Sequence, residues 1–463
     1  MKFLPEDDTI VALSSPLGNG AIAVIRVSGK QCLEVVNPLL KRKINLSEAR
    51  KAFFNEMFEP ASNNSIDQVV TTYFKSPNSY SGEDIVEIGC HCNTLIINKI
   101  IDECVQQGAR VAEPGEFTFR AFMNGKMDLS QAEAVAGIIN ARSRQSLTQS
   151  MRHLEGRLSE RIHQIKNDIL SNLALLEINL DFSDEEIEVL PIAEMAVKIE
   201  NTISNIESFL KTYDYGRLLQ EGIKLIILGK PNVGKSSLLN CLLEKDRAIV
   251  SEIPGTTRDY IEASMEVDGL AVQAVDTAGI RYTEDAVEAI GVERAREQIQ
   301  TADIALCVFE GNKPLDSDDE VLINIIRENT RTVNFVAVLN KSDLSILECT
   351  NTALNKLKIP SVEISAKEGH GIGDLKKTIK EQLLAGQGME SEEIVVTNAR
   401  HKTALERTIS SLQNALGAIK LQATEEMIAV DIRLALDHLG EITGETTSED
   451  VVNHIFANFC IGK

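Results

Sequence analysis

The sequence predicts a multidomain chain that mixes α/β and all-α parts: an N-terminal α/β domain, a helical bundle domain, and a second α/β domain inserted into the helical one. Three observations predict it. Roughly the first 120 residues alternate short strand-like runs with turns and one amphipathic helix. Residues 129–210 and 386–463 repeat apolar positions at spacings of three and four. Between them a short apolar run meets a glycine-rich loop and then a helix, and further buried strands follow. At 463 residues the chain exceeds an average domain. The expected division is 1–120, 121–214, 215–385 and 386–463, with the first and third α/β and the second and fourth two parts of one helical domain.

Composition sets bounds. Hydrophobic residues make up 43% of the chain, enough for real cores. A formal net charge of −22 argues against nonspecific nucleic-acid binding by the whole surface but leaves room for a local basic site. Eight cysteines are scattered without a C-x-x-C pair, a usage that points to the reducing cytoplasm. Cys90-His91-Cys92 is the one close cluster. Strand alternation would put Cys90 and Cys92 on one face with His91 opposite, so a zinc site there competes with plain packing. The start, MKFLPEDDT, has neither a signal-peptide core nor a basic amphipathic presequence, and no run of 18 apolar residues occurs. No membrane-spanning helix is expected.

In the N-terminal part, Thr9–Leu13, Ala21–Val27, Val69–Phe74 and Ile85–Cys90 read as strands. The turn Ser15–Gly20 splits the first two, and Ser76–Asp84 is a loop. Thr94–Gln107 reads as an amphipathic helix, Ala109–Ala112 as a short return, and Pro114–Thr118 as boundary punctuation. Arg26, Tyr80, Glu83 and Arg120 are candidate polar contacts for a small ligand, or ordinary surface groups.

From Leu129 the pattern turns helical. Ala132, Val135, Ala136, Ile139 and Ala141 make one stripe. Leu147, Met151, Leu154, Leu158, Ile162, Ile165, Ile169, Leu173 and Leu176 make a longer one, read as one long bundle helix. Arg152 and Arg157 read as packing and surface charge. Asp181–Glu186 breaks the pattern, and Ala193–Tyr213 supplies another helix.

The inserted domain opens on Ile223–Leu228, a buried-strand run, followed by Gly229-Lys230-Pro231-Asn232-Val233-Gly234-Lys235-Ser236 and a helix over Ser237–Leu243. This is a G-x-x-x-x-G-K-S phosphate loop. Its glycines let backbone N–H groups face a β-phosphate, and the helix N-terminus adds a positive pole. Lys235 reaches toward β- and γ-phosphates, and the Ser236 hydroxyl is a candidate Mg²⁺ ligand. Gly229, Asn232, Val233, Gly234, Lys235, Ser236 and Ser237 are the candidate nucleotide contacts here. Strand Ala271–Val275 ends in Asp276-Thr277-Ala278-Gly279. Asp276 is the expected Mg²⁺-side carboxylate, and Gly279 can donate its N–H to a γ-phosphate. Gly255-Thr256-Thr257-Arg258-Asp259 is the expected first switch, with a Thr hydroxyl for Mg²⁺.

Ala305–Phe309 and Phe335–Leu339 are further buried strands. The second ends in Asn340-Lys341-Ser342-Asp343. The Asp343 carboxylate can accept from both N1–H and the exocyclic amine of guanine, a donor pair that adenine lacks. Ser361–Ile364 leads to Ser365-Ala366-Lys367, whose Ala N–H can meet the guanine O6. Four spaced motifs therefore predict a guanine-nucleotide triphosphatase. Beyond it, Leu405, Ile409, Leu412, Leu416 and Ile419 form one helical stripe, and Ile428, Ile432, Leu436 and Leu439 another, with Gly440 and Gly444 read as breaks. Amphipathic faces on both sides of the inserted domain need each other for burial, which predicts the insertion.

With these motifs assembled, the chain resembles the MnmE (TrmE) family of tRNA-modification GTPases. The resemblance rests on Gly20–Gly29 (GAIAVIRVSG), Ser81-Gly82-Glu83-Asp84, Pro114–Thr118, Arg120–Lys126 (RAFMNGK), the phosphate-loop set, Ile290–Ala295 (IGVERA) and the C-terminal Cys-Ile-Gly-Lys. It implies a folate-binding N-terminal domain that dimerises, a helical domain, and an inserted Ras-like GTPase domain. It further implies a flavin-containing MnmG-like FAD protein as partner in a heterooligomer, with tRNA as substrate. The product would be aminomethyl or carboxymethylaminomethyl uridine at the wobble position, with a one-carbon unit from a 5-formyl- or methylene-tetrahydrofolate. GTP hydrolysis would be activated by potassium and by transient pairing of GTPase domains. Arg26, Tyr80, Glu83 and Arg120 would lie near the folate pocket, with the tail ending at Lys463 reaching toward it.

Ile280 stands where many small GTPases carry a water-orienting Gln, and Ile cannot hydrogen-bond water. The resemblance assigns that role to Glu288, which from the residues alone is one acid among Glu284, Asp285 and Glu288. It also makes Asn232 a K⁺ ligand, with Ser251, Ile253 and Thr256 in the enclosing segment and Thr257 beside Mg²⁺. Cys460 is either a thiol catalyst, for which His454 would be the base, or part of a tail contacting substrate or folate. A rival reading from another class is a GTP-dependent assembly or regulatory switch on a ribosome or protein complex.

Overall fold

The computed structural model describes residues 8–18, 20–181, 192–244, 263–267, 269–275, 299–330, 333–383 and 394–463. It is a multidomain α/β and helical protein, with two six-stranded sheets among the described residues. By contacts it divides into one unit of residues 1–136, 153–202 and 407–463, and another of residues 137–152 and 203–406.

The first unit holds a mixed sheet in the order β3-β4-β5-β2-β1-β6. Its strands are β1 (Ile10–Leu13), β2 (Ile22–Ser28), β3 (Ala52–Phe58), β4 (Ser65–Phe74), β5 (Ile85–His91) and β6 (Arg110–Val111). All neighbours are antiparallel except β1 and β6. Val11, Ile25, Val27, Val69, Val86 and Ile88 bury their side chains against the helix Thr94–Gln106, which Asn93 caps through its side chain. Pro114–Thr118 is more than punctuation: Gly115, at φ +73°, opens a helix over Glu116–Met123.

The long helical stripe is two helices, Arg144–Leu154 and Arg157–Asp181. They part at Gly156, whose φ of +87° ends the first, and Gln131 caps its last carbonyl, that of Leu154, at 2.9 Å. The helix Glu425–Thr443 packs on Arg157–Asp181 with Ile428, Ile432, Ala435 and Leu439 buried on one side and Ile162, Ile165, Ile169 and Leu176 on the other. Each buried Ile or Leu contributes about 1.5–3 kcal/mol. Arg433–Glu177 at 2.8 Å and Lys166–Glu445 tie the rims. Gly440 does not break this helix. A Cβ there would sit 2.6 Å from Thr446 Oγ1, so the glycine admits the returning chain, and the helix stops at Gly444, φ +92°. A last helix, Glu449–Ala457, places Phe456 edge-on to Phe119.

The second unit holds the sheet β12-β11-β10-β7-β9-β8. Its strands are β7 (Ile223–Leu228), β8 (Ala263–Val267), β9 (Leu270–Val275), β10 (Ile304–Glu310), β11 (Asn334–Asn340) and β12 (Ser361–Glu363). Only β8 is antiparallel. The central strands β10 and β11 carry continuous apolar runs because both sheet faces are covered there, and β10 is buried throughout. The chain leaves β7 toward β9 on one side and β10 on the other. The carboxyl end of β7 is therefore a topological switch point, where open α/β sheets form their binding crevice. The segment read as one helix over Ala193–Tyr213 is Ile192–Leu210 followed by Tyr213–Glu221, which runs through Gly222 into β7. Among the described residues no helix is long and apolar enough to cross a membrane.

Candidate functional site

The glycine-rich loop leaves β7 at Gly229 and enters the helix Lys235–Glu244. Gly229 has φ +150°, and a Cβ on it would lie 2.6 Å from the Val308 carbonyl of β10. Gly234 has φ +106°, and a Cβ there would lie 2.2 Å from Asn340 Nδ2. Both positions therefore demand glycine. Asn232, at φ +61°, occupies the left-handed region that Asn tolerates best after Gly, and it is exposed at the loop's crest. Lys235 Nζ donates to the carbonyls of Gly229 (2.7 Å) and Lys230 (2.8 Å), and burial pushes its pKa down. A desolvated ammonium held by neutral carbonyls is a ready partner for an arriving phosphate. Ser236 and Ser237 are exposed on the first turn, and Val233 is buried beneath the loop.

Asn340, 3% exposed at the end of β11, joins three motifs. Its Nδ2 donates to the Val233 carbonyl at 2.7 Å, and its Oδ1 accepts from the Ala366 N–H at 3.0 Å. Ser365 Oγ donates to Asp343 Oδ1 at 2.7 Å, which holds the Asp343 carboxyl below its ordinary pKa. Lys341, at φ +68°, sends Nζ to Glu310 Oε1 at 2.6 Å. Lys367 is exposed. The phosphate loop, Asn340–Asp343 and Ser365–Lys367 thus meet at one end of the sheet. Sequence reasoning missed two supports. Lys230 bridges Asp316 (2.6 Å) and Asp319 (2.8 Å), and Cys241 Sγ donates to the Ala366 carbonyl at 2.8 Å. Thr256, Thr257, Asp276, Gly279, Glu288, Ser251 and Ile253 lie outside the described residues, as does Ile280.

The four polar residues singled out in the N-terminal part form two contacts, Arg26 with Tyr80 and Glu83 with Arg120. Arg26 pairs with Glu87 across β2 and β5 (2.8 Å) and lies over the rings of Tyr80 (5.0 Å) and Phe117 (5.5 Å). Tyr80 OH meets Thr118 Oγ1 at 2.8 Å, and burial raises its pKa. Glu83 accepts from Ser28 Oγ (2.8 Å) and from Arg120 Nη1 (3.3 Å). The buried Arg120 also bonds Glu116 (2.9 Å) and Asp8 (2.5 Å), so three carboxylates contact its guanidinium. Phe117, Asp8 and Glu116 were not anticipated, although the Pro-Gly-Glu-Phe-Thr run was the signal.

The chain's end reaches the same segment. The Phe117 N–H donates to the Lys463 carbonyl at 3.1 Å, and Gly115 N–H to that of Cys460 at 3.4 Å. A Cβ on Gly462 would lie 1.9 Å from the Leu13 carbonyl, so only glycine lets the tail lie there. Cys460 is exposed. Cys90 is buried in the core under β5, and Cys92, just past the end of that strand, packs half-buried against the same core. Burial pushes the Cys90 thiol up to about 11, while His91 Nδ1 meets Asp67 at 2.7 Å. Among the described residues no three His, Cys, Asp or Glu side chains gather as a metal site.

Comparison with known proteins places this geometry. Residues 9–126 match the family model described as GTP-binding protein TrmE N-terminus, and residues 129–460 match the MnmE helical domain. A tRNA modification GTPase MnmE of Natranaerobius thermophilus is 41% identical over 461 residues, covering 99% of this chain and 100% of that one. Proteins of the same name from Geotalea uraniireducens and Alkaliphilus oremlandii are 39% and 37% identical, covering 98% and 99% of this chain and 99% of each relative. With both family models matched and full-length relatives at this identity, the chain belongs to the MnmE/TrmE family.

Proposed function

We propose that the protein is a potassium-activated GTPase that works with an MnmG-like FAD protein to install aminomethyl or carboxymethylaminomethyl groups at C5 of the wobble uridine of certain tRNAs. The observation that carries the reading is Asn340, whose one side chain ties the phosphate loop to the Ala366 amide beside Asp343. A triphosphate on the loop and a guanine at Asp343 would then be read by one rigid frame. The proposed division of labour is an N-terminal folate-binding and dimerisation domain (1–120), a helical domain (121–214 and 386–463) and an inserted GTPase domain (215–385).

In this reading Lys235 exchanges its carbonyl partners for β- and γ-phosphate oxygens, and the loop N–H groups orient them. Ser236, Thr257 and Asp276 would hold Mg²⁺, and Gly279 would face the γ-phosphate. Asn232, Ser251, Ile253 and Thr256 would hold K⁺, which supplies positive charge where other GTPases use arginine. Glu288 would orient the attacking water. The exposed side chain of Asn232 on a fixed left-handed residue fits a cation ligand.

The Arg26 guanidinium over the rings of Tyr80 and Phe117, with the Lys463 tail beside Phe117, fits a flat pteridine-like ring. A bound 5-formyl- or methylene-tetrahydrofolate would supply the one-carbon unit. Arg120 would act by holding Glu83 and Asp8 in place. The acidic surface assigns most tRNA contact to the partner.

Nucleotide selectivity tests the reading. GTP should bind at least about 100-fold more tightly than ATP, and Asp343→Ala should erase that margin, because the base edge then loses its paired acceptor. Equal binding of ATP and GTP by the wild-type chain would refute it.

A further inference from the structure

Gln145 lies in the first turn of the helix Arg144–Leu154, far in sequence from the second sheet, yet it touches two segments that lead into the strands beside the phosphate loop. Its Oε1 accepts from Tyr215 OH at 3.0 Å. Its backbone N–H faces the Gly269 carbonyl at 3.4 Å. Gly269 makes the β8–β9 turn at φ +87°, and a Cβ there would lie 3.0 Å from Gln145 Nε2 and 3.1 Å from its Cγ and Cδ. Tyr215 sits on the helix Tyr213–Glu221, which passes through Gly222 into β7.

Gln145 therefore holds the lead-in of β7 and the lead-in of β9 at once. The two strands are parallel neighbours, Ile223 opposite Val272 through Ile226 opposite Val275. At their far ends stand Gly229 of the phosphate loop and Val275, the residue before Asp276. A strand of six residues spans about 20 Å and is stiff along its length, so a shift at one end is carried to the other. The joint has further members. Gln273 Nε2 of β9 donates to the Glu221 carbonyl at 3.4 Å. A Cβ on Gly137 would lie 2.8 Å from Ser150 Oγ and 3.3 Å from Gln220 Nε2, so residues 137–150 close on the same helix.

We propose that Gln145 is a positioning residue that couples the nucleotide site to the helical segment 137–152. The register between β7 and β9 sets whether Gln145 keeps both partners, and the helix Arg144–Leu154 follows. This rests on the GTPase reading of the β7 end. A contact that only stabilised the fold would respond equally to every nucleotide.

Hydrogen exchange on the full-length chain in K⁺, with GDP or with a slowly hydrolysed GTP analogue, tests it. In the wild type, amides of residues 144–152 should exchange at rates that differ about fivefold between the two nucleotides, the change expected when one hydrogen bond is made or broken. Gln145→Leu should abolish that difference while loop amides 230–237 remain protected by both nucleotides. Gln145→Glu, which keeps an acceptor for Tyr215, should restore it. Identical exchange at 144–152 in the wild type, or a difference that survives in Gln145→Leu, would overturn the coupling. Loss of nucleotide protection at 230–237 in the wild type would instead overturn the GTPase reading and the coupling with it.

Discussion

Gly234 and Asn340 are in direct contact across the nucleotide end of the sheet: a methyl group on Gly234 would penetrate the Asn340 amide, 2.2 Å from Nδ2. That amide spans Val233 and Ala366, both buried. Asn340→Ala leaves a buried carbonyl and a buried N–H without partners, at about 1–3 kcal/mol each. Gly234→Ala adds a left-handed alanine to the same clash and costs about 1–3 kcal/mol. Urea unfolding should show both losses. The two variants together should lose less than the sum, because each displaces the same amide.

Acid should weaken the first unit through the carboxylates around Arg120. Burial pushes the Asp8 and Glu116 carboxyls up, but bonds to Arg110 and Arg120 outweigh it and leave both below their ordinary values of 3.8 and 4.5. A depressed folded-state pKa contributes stability that is complete above the ordinary value and is lost as pH falls through the lowered one. Thermal unfolding followed against pH should therefore drop below pH of about 4, not between 5 and 8. Arg120→Met removes one of the two arginines that hold Asp8 and Glu116, leaving Arg110 on both, and should cost about 1–3 kcal/mol while moving the acid transition to higher pH.

The cation role proposed for Asn232 is separable from its backbone conformation. Asn232→Gly keeps the left-handed residue and removes only the side chain. GTP affinity should stay within about twofold, while K⁺-stimulated turnover falls at least about tenfold. Turnover measured in K⁺ and in Na⁺ checks it, and full K⁺ stimulation in the variant would remove Asn232 from the cation site.

Much of the architecture was legible because the physics was local. Ile223–Leu228 is apolar at every position but the exposed Lys224, as a strand covered on both faces requires, and its bounds are those read from the sequence. Strand β3 was missed because its alternation is inverted. Phe54 points outward at 70% exposure while Asn55 points inward, where it bonds the backbone N–H and carbonyl of Arg42. The break at Gly156 was hidden by apolar spacing that continues across it, since spacing reports a face and not a dihedral. The stack of Arg26 on Tyr80 and Phe117 joins residues up to 91 positions apart, and only the strand order brings them together. The fit of the C-terminal tail beside Leu13 depends on a single absent Cβ at Gly462, which composition cannot reveal.

The central claim is that GTP cleavage drives chemistry on tRNA staged elsewhere in the molecule. Its most direct measurement is reconstitution of the protein with the proposed MnmG-like flavoprotein, a folate donor, K⁺ and unmodified tRNA, followed by mass analysis of the wobble uridine. Modified uridine should accumulate with GTP and stay at background with a non-hydrolysable analogue. Equal modification in both would contradict the account.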